Sequence, residues 1–193
     1  VEPHLSVGPS DWIQRWSHLV ASGARVLDVA CGHGRHMAWF AAHGCHVTGI
    51  DRSEQSLDTA RAYGRVLQAD VEVGAWPLID ANQRLETFDV VVVTNYLWRP
   101  LFANLLDSIT PGGLLLYETF AQGNETVGKP SRADFLLLPG ELLQRCQTLR
   151  VVAFEDGFLS QPARFVQRIA AIKPGACPHG EPMPSQCIKL NSI

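Results

Sequence analysis

Between residues 25 and 119 the chain alternates short apolar runs with amphipathic stretches, and this alternation restricts its fold more than any other feature. The runs are Arg25 to Ala30, His46 to Asp51, Arg65 to Asp70, Phe88 to Thr94 and Leu114 to Thr119, all of strand length. Helical patterns surround and separate them. Ser10 to Val20 places Trp12, Ile13, Trp16, Leu19 and Val20 on one face, with Ser10 as N-cap. A second helix runs through Phe40 and closes at Gly44, a third spans Ser53 to Ala62 with Ser53 as N-cap, and a fourth spans Arg99 to Ile109. Pro111-Gly112-Gly113 reads as the turn that stops the fourth. Strands alternating with helices at this spacing imply right-handed crossovers and a parallel sheet. The valine run at Phe88 to Thr94 marks a strand covered on both faces.

After Thr119 the pattern changes. Gly123 to Pro139 is rich in Gly, Pro, Asn and Ser, which predicts a functional loop. A short helix follows over Glu141 to Gln147. Leu149 to Glu155 and Arg164 to Lys173 read as an antiparallel hairpin at one sheet edge. The expectation is an α/β, doubly wound, mainly parallel seven-stranded sheet with an antiparallel edge strand.

The 193 residues suit one domain, and an apolar fraction of 46% supplies its core. We place that domain at residues 1–174 and a Pro/Gly-rich, flexible tail at 175–193. A net charge of -3 gives no broad basic surface, which argues against tight binding along a nucleic-acid backbone. No apolar run approaches the ~20 residues that span a bilayer. Pro3, His4 and Trp12 interrupt any leader-like stretch. Cys31, Cys45, Cys146, Cys177 and Cys187 are scattered and odd in number, so the reading is a reduced, cytoplasmic protein without a disulfide framework. Cys177, His179 and Cys187 match no standard zinc spacing, and His33 with His36 reads as polar loop and helix start. No metal site is expected.

The first apolar run leads into Asp28-Val29-Ala30-Cys31-Gly32-His33-Gly34. Two glycines between a strand and a helix let a ligand approach the backbone. A dinucleotide fingerprint needs a third glycine where Met37 stands, and a P-loop needs a Gly-Lys-Ser/Thr that is absent. What the loop has is an acid, Asp28, suited to an ammonium group. Asp51 ends the second run, where a carboxylate accepts ribose hydroxyls, and Asp70 ends the third, within reach of an adenine amine. Three acids at neighbouring strand ends face the crevice in which open parallel sheets bind ligands. A cationic amino acid joined to a nucleoside, S-adenosyl-L-methionine, satisfies all three.

These residues resemble the class I S-adenosylmethionine-dependent methyltransferases, over about Trp12 to Lys173. Asp28 to Gly34 looks like their glycine motif, Asp51 and Asp70 like their ribose and adenine acids, and Asp89 to Thr94 like their fourth motif. Leu27-Asp28 through Gly34-Arg35-His36 is similar to the small tellurite-resistance and thiopurine type members. Ala30 stands where many members have glycine, and His36 where the subgroup often has Asn. The resemblance implies a Rossmann-like sheet and a cofactor site of Asp28, Ala30, Gly32, Gly34, Asp51, Arg52, Asp70, Val71 and Thr94.

The end of the fourth strand then sits beside the reacting methyl. There Asn95 and Tyr96 offer an amide and a phenol to orient an acceptor, without the Asn/Asp-Pro-Pro-aromatic pattern of base and amide N-methylating relatives. Glu118 and Glu125 are candidate bases. Arg99 is either a contact for an anionic acceptor or a solvated side chain, and the Phe120 to Pro139 loop is a lid. Trp12 and Trp16 read as a core stripe, with closure over the cofactor as the alternative. Trp76-Pro77 reads as packing or as cover for the adenine. The expected activity is methyl transfer to a small-molecule acceptor by displacement at the sulfonium methyl, with orientation as the main catalytic contribution. The alternatives are a protein or RNA methyltransferase and a non-catalytic cofactor-binding sensor or partner.

Overall fold

A computed structural model describes residues 8–79 and 82–175. Its seven strands are β1 (Arg25–Val29), β2 (His46–Asp51), β3 (Arg65–Gln68), β4 (Phe88–Thr94), β5 (Ile109–Phe120), β6 (Arg150–Ser160) and β7 (Ala163–Ile172). They form one sheet in the order β3-β2-β1-β4-β5-β7-β6. β1 to β5 pair in parallel, and β7 runs antiparallel to both β5 and β6. Strand order reverses between β1 and β4, which opens a crevice at their carboxyl ends. The seven-stranded, mainly parallel Rossmann-like sheet is the expected one.

Alternation along the strands divides the core into two layers. Leu27, Val29, Val91, Val93, Leu115, Tyr117 and Ile169 belong to one, packed with Phe102 and Leu105 of α4 (Phe102–Asp107) and Leu142 of α5 (Glu141–Arg145). Val26, Val90, Val92, Leu114, Leu116 and Ala170 belong to the other. They pack with α1 (Asp11–Trp16), α2 (Arg35–Ala42) and α3 (Glu54–Ala60). Trp12 and Trp16 are core members, and Trp76 is buried with its indole N–H donated to Ser108 Oγ at 3.2 Å. Tyr117 stacks on Phe102 with ring centroids 5.4 Å apart.

Several helices are shorter than their periodicity implies. α1 gives way to a 3-10 turn at Ser17–Leu19, and the segment read as helix from Arg99 begins as a 3-10 turn at Arg99–Leu101. Ile109 opens β5 instead of closing α4. Pro111-Gly112-Gly113 lies within β5, where the β4–β5 register shifts between the Phe88–Ile109 and Val90–Leu114 pairs. The segment stays in the sheet because the Gly112 N–H donates to the Lys173 carbonyl and the Lys173 N–H to that of Gly113. β6 continues past Glu155 to Ser160, since Phe158 pairs with Phe165 across the hairpin.

No helix among the described residues is long and apolar enough to cross a membrane. The tail residues Cys177, His179 and Cys187 lie outside the described residues.

Candidate cofactor and acceptor site

The loop after β1 makes three left-handed residues out of five: Ala30 (φ 56°), Gly32 (φ 54°) and Gly34 (φ 79°). Gly34 serves two needs. It supplies the positive φ that starts α2, and a Cβ there would meet Ala60 at 3.0 Å and Tyr63 at 3.2 Å. Asp51 at the end of β2 holds this loop. One carboxylate oxygen accepts the Gly32 N–H at 2.8 Å and the other accepts that of Ser53 at 2.8 Å. β3 stops at Gln68, two residues short of Asp70, which lies in the segment beyond it and accepts the Glu72 N–H at 3.0 Å.

Asp28 differs from both. It is 1% exposed, and among the described residues neither carboxylate oxygen has a hydrogen-bond partner. Burial pushes its pKa up to about 8, with Arg35 opposing the rise and Asp51 adding to it. A buried acceptor pair without a partner among the described residues calls for an explanation, and a ligand donor is one. The ammonium of the implied cofactor has the donors and the charge that Asp28 lacks.

A cleft of about 470 Å³ lies over the strand ends, lined by Ala30, Asp51, Arg52, Asp70, Val71, Asn95 and Tyr96 among others. Its volume suits a single nucleoside-sized ligand. Seven expected site residues therefore share one cavity. Asp28, Gly32, Gly34 and Thr94 are not among its lining residues: Asp28 is buried, Gly32 and Gly34 shape the loop, and Thr94 is buried with its hydroxyl 3.3 Å from His36 Nδ1. Ala30 and Asn95, both on the cleft wall, hold positive φ without being glycine, the kind of backbone strain that collects at functional sites. Asn95 is fixed by its N–H, which donates to the Glu118 carbonyl at 2.9 Å. The Tyr96 hydroxyl donates to Glu72 at 3.3 Å, and burial raises its pKa above the ordinary phenol value. Tyr96 enters any reaction as a neutral donor.

Two assignments change. Glu118 is fully buried and lines neither this cleft nor the cavity beside it. It accepts from Ser10 Oγ at 3.1 Å, from Arg164 Nη2 at 3.3 Å and from Arg168 Nη1 at 3.4 Å. That geometry fits a counter-ion and not a base. Arg99 neither faces an acceptor nor lies free in solvent. It grips both carboxylate oxygens of Glu141 and the carbonyls of Asp134 and Leu136, tying the 120–139 loop to α5. Burial works to raise the Glu141 pKa, yet Arg99, the Leu138 N–H and Arg145 together hold it down at about 2. Glu125 is exposed and accepts the Gly123 N–H. The loop does reach the cleft, through Phe120, Pro130 and Phe135.

Sequence reasoning missed a polar strap under the site. His36 is buried, and its Nε2 accepts the Ser10 N–H at 3.2 Å. The ring proton is then on Nδ1, donated to Thr94 Oγ1 at 3.3 Å. Burial and then Arg35 lower the pKa to about 3, which keeps the ring neutral. It also missed a second cavity of about 600 Å³ bounded by the N-terminal segment and the β6–β7 hairpin, which shares Asn95 and Phe120 with the first. The spacing of Arg164 and Arg168, four apart on one strand and so on one face, was the available signal.

Comparison with known proteins agrees with the geometry. Residues 26–113 match a family model described as a methyltransferase domain. A tRNA U34 carboxymethyltransferase from Klebsiella pneumoniae is 32% identical over 145 residues, 68% of this chain and 40% of that protein. A ubiquinone biosynthesis O-methyltransferase from Coxiella burnetii is 28% identical over 106 residues, 52% of this chain and 45% of that one. The chain thus spans less than half the length of these curated relatives. Among solved structures, TehB from Haemophilus influenzae superposes with a TM-score of 0.69 at 19% identity, covering 88% of this chain and 63% of TehB. At that identity the likeness concerns the fold.

Proposed function

We propose, from the premise that this chain carries a class I S-adenosylmethionine-dependent methyltransferase domain, that it catalyses methyl transfer to a small-molecule acceptor. The observation that carries the reading is the cleft at the strand ends lined by Asp51 and Asp70, with Asp28 on the neighbouring strand β1 buried and without a hydrogen-bond partner among the described residues. When bound, the cofactor supplies an electrophilic sulfonium methyl. The chain's own groups bind, orient and exclude water. Asp28 takes the ammonium, Asp51 the ribose hydroxyls through lone pairs not used by Gly32 and Ser53, and Asp70 the adenine amine. Ala30, Gly32, Gly34, Arg52, Val71 and Thr94 complete that site as loop and wall.

Asn95 and Tyr96 orient the acceptor from the tip of β4. Holding two reactants in line is worth on the order of 7–11 kcal/mol of barrier, so orientation without a strong base is a sufficient mechanism. A neutral tyrosine and an amide are orienting groups of this kind. A small acceptor is favoured because the neighbouring cavity of about 600 Å³ matches a metabolite-sized ligand.

Calorimetry with S-adenosylmethionine and S-adenosylhomocysteine tests the cofactor assignment, and a radiolabelled-methyl screen over small acceptors tests the activity. Asn95→Ala is expected to bind the cofactor within about threefold of the wild type and to lose about a hundredfold or more in transfer rate. Loss of cofactor binding in Asn95→Ala, or equal transfer by the variant, would remove Asn95 from the acceptor side. Absence of binding by either cofactor form would overturn the reading.

A further inference from the structure

We propose that the cavity beside the cofactor cleft holds the anionic group of the acceptor, so that the molecule methylated is a small oxyanion-bearing compound; this rests on the methyltransferase reading above. Among the described residues five cations, Arg15, Arg35, Lys129, Arg164 and Arg168, line this cavity, and Asp11 is the one carboxylate. The acids behind the wall are already committed. Glu118 pairs with Arg164 and Arg168, and Glu155 pairs with Arg15 and Arg168. More positive charge than negative therefore surrounds the space.

Arg35 is the sharpest case. It is half-buried, and among the described residues it has no hydrogen-bonded or ion-paired side chain. Burial lowers its pKa, Glu118 and Asp28 oppose that, and Arg164 adds to the lowering. Arg164 is itself incompletely matched, since its Nε is buried without a partner among the described residues. Two guanidiniums that feel each other in a partly desolvated cavity repel, and an oxyanion between them removes the repulsion. Their planar forks match carboxylate or phosphate oxygens in pairs. The position also suits the reaction. Asn95 and Phe120 line both cavities, so an anion held at Arg35 leaves the rest of a small molecule at the boundary with the cofactor cleft.

Calorimetry on the full chain saturated with S-adenosylhomocysteine tests this with three probes: benzoate, phenyl phosphate and the neutral isostere benzamide. At least one anion is expected to bind about tenfold or more tighter than benzamide, and the better of the two identifies the carboxylate or the phosphate. Arg35→Gln is expected to abolish that preference and Arg35→Lys to retain part of it, both with unchanged melting temperature. Lys129→Gln, on the exposed rim, is expected to weaken the preferred anion about twofold to fivefold. Equal binding of benzamide, no anion binding at about 10 mM, or a preference that survives Arg35→Gln would overturn the proposal. If S-adenosylhomocysteine binds and the anions do not, this inference alone fails; if S-adenosylhomocysteine itself does not bind, the methyltransferase reading fails with it.

Discussion

Asp28 keeps two acceptor oxygens away from water with no hydrogen-bond partner among the described residues, a condition that ordinarily costs about 1–3 kcal/mol. The cofactor-free protein lowers that cost by keeping the group protonated, which is what a pKa near 8 means. The consequence for stability has a definite sign. Between the ordinary value of 3.8 and about 8, the folded protein binds a proton that the unfolded chain has released, so stability falls as pH rises through that window. Thermal melts without cofactor from about pH 5 to about pH 8 should show this decline, and Asp28→Asn should flatten it. As the proposed partner of the cofactor's ammonium, Asp28 has to be ionised. S-adenosylmethionine affinity should therefore rise between about pH 6 and about pH 8, with proton release visible as a dependence of calorimetric heat on buffer ionisation enthalpy. Asp28→Asn should cost about tenfold or more in affinity and remove the proton release. A pH-independent affinity in the wild type would mean that Asp28 is not the ammonium partner. Asp28, Asp51 and Asp70 were legible in the sequence because each ends or interrupts an apolar run. Arg35 and His36 were not, since what distinguishes them is their surroundings: His36 meets Ser10 and Thr94, 26 and 58 residues away.

At the scale of elements, α2 lies so close to β2 that Gly49 has no room for a side chain. A Cβ there would collide with the Met37 sulfur and come within 2.8 Å of Cys31 Sγ. Gly49→Ala should therefore overpack the α2–β2 contact and destabilise by about 1–3 kcal/mol, lowering the melting temperature by about 2–4 °C per kcal/mol. Gly157 in β6 is the control, since a Cβ at that position meets nothing within 4 Å. Gly157→Ala should leave stability unchanged or slightly raised; equal losses in the two variants would point to a backbone effect instead of crowding. The strands were readable from the sequence because apolar runs of strand length carry their own boundaries. Helix ends were read too far out, because periodicity does not register where a 3-10 turn or a sheet bond takes over. The bulge at Pro111-Gly112-Gly113 was hidden for a related reason. Its donor and acceptor are at Lys173, and local turn chemistry gives no sign of a partner so distant.

Across the whole molecule, Glu118 joins parts of the chain that are far apart in sequence. It sits on β5 opposite Thr94 of β4 and Arg168 of β7, and it also accepts from Ser10 at the cap of α1. Glu118 lies on β5 as expected, but it lines neither the cleft nor the cavity beside it, where the sequence reading made it a wall of the acceptor site. Its role was not readable, because that depends on Arg164 and Arg168 arriving from the closing hairpin. A buried carboxylate between two guanidiniums cannot be neutralised cheaply: removing its charge leaves two cations facing each other in low-dielectric surroundings, typically a loss of about 3–5 kcal/mol. Glu118→Gln is nearly isosteric and keeps an acceptor for Ser10, so the charge is the main thing it removes. Denaturant unfolding should show that loss. Hydrogen exchange should place the loosening along β7 and the start of α1, the segments Glu118 holds, while β1 to β3 keep their protection. Cofactor affinity of the folded variant should stay within about threefold, because Glu118 does not line the cofactor cleft. A base at this position predicts the opposite pair of results, with stability retained and transfer lost. The two outcomes separate a residue that performs chemistry from one that holds the hairpin against the rest of the sheet, and with it the cationic wall on which Arg164 and Arg168 stand.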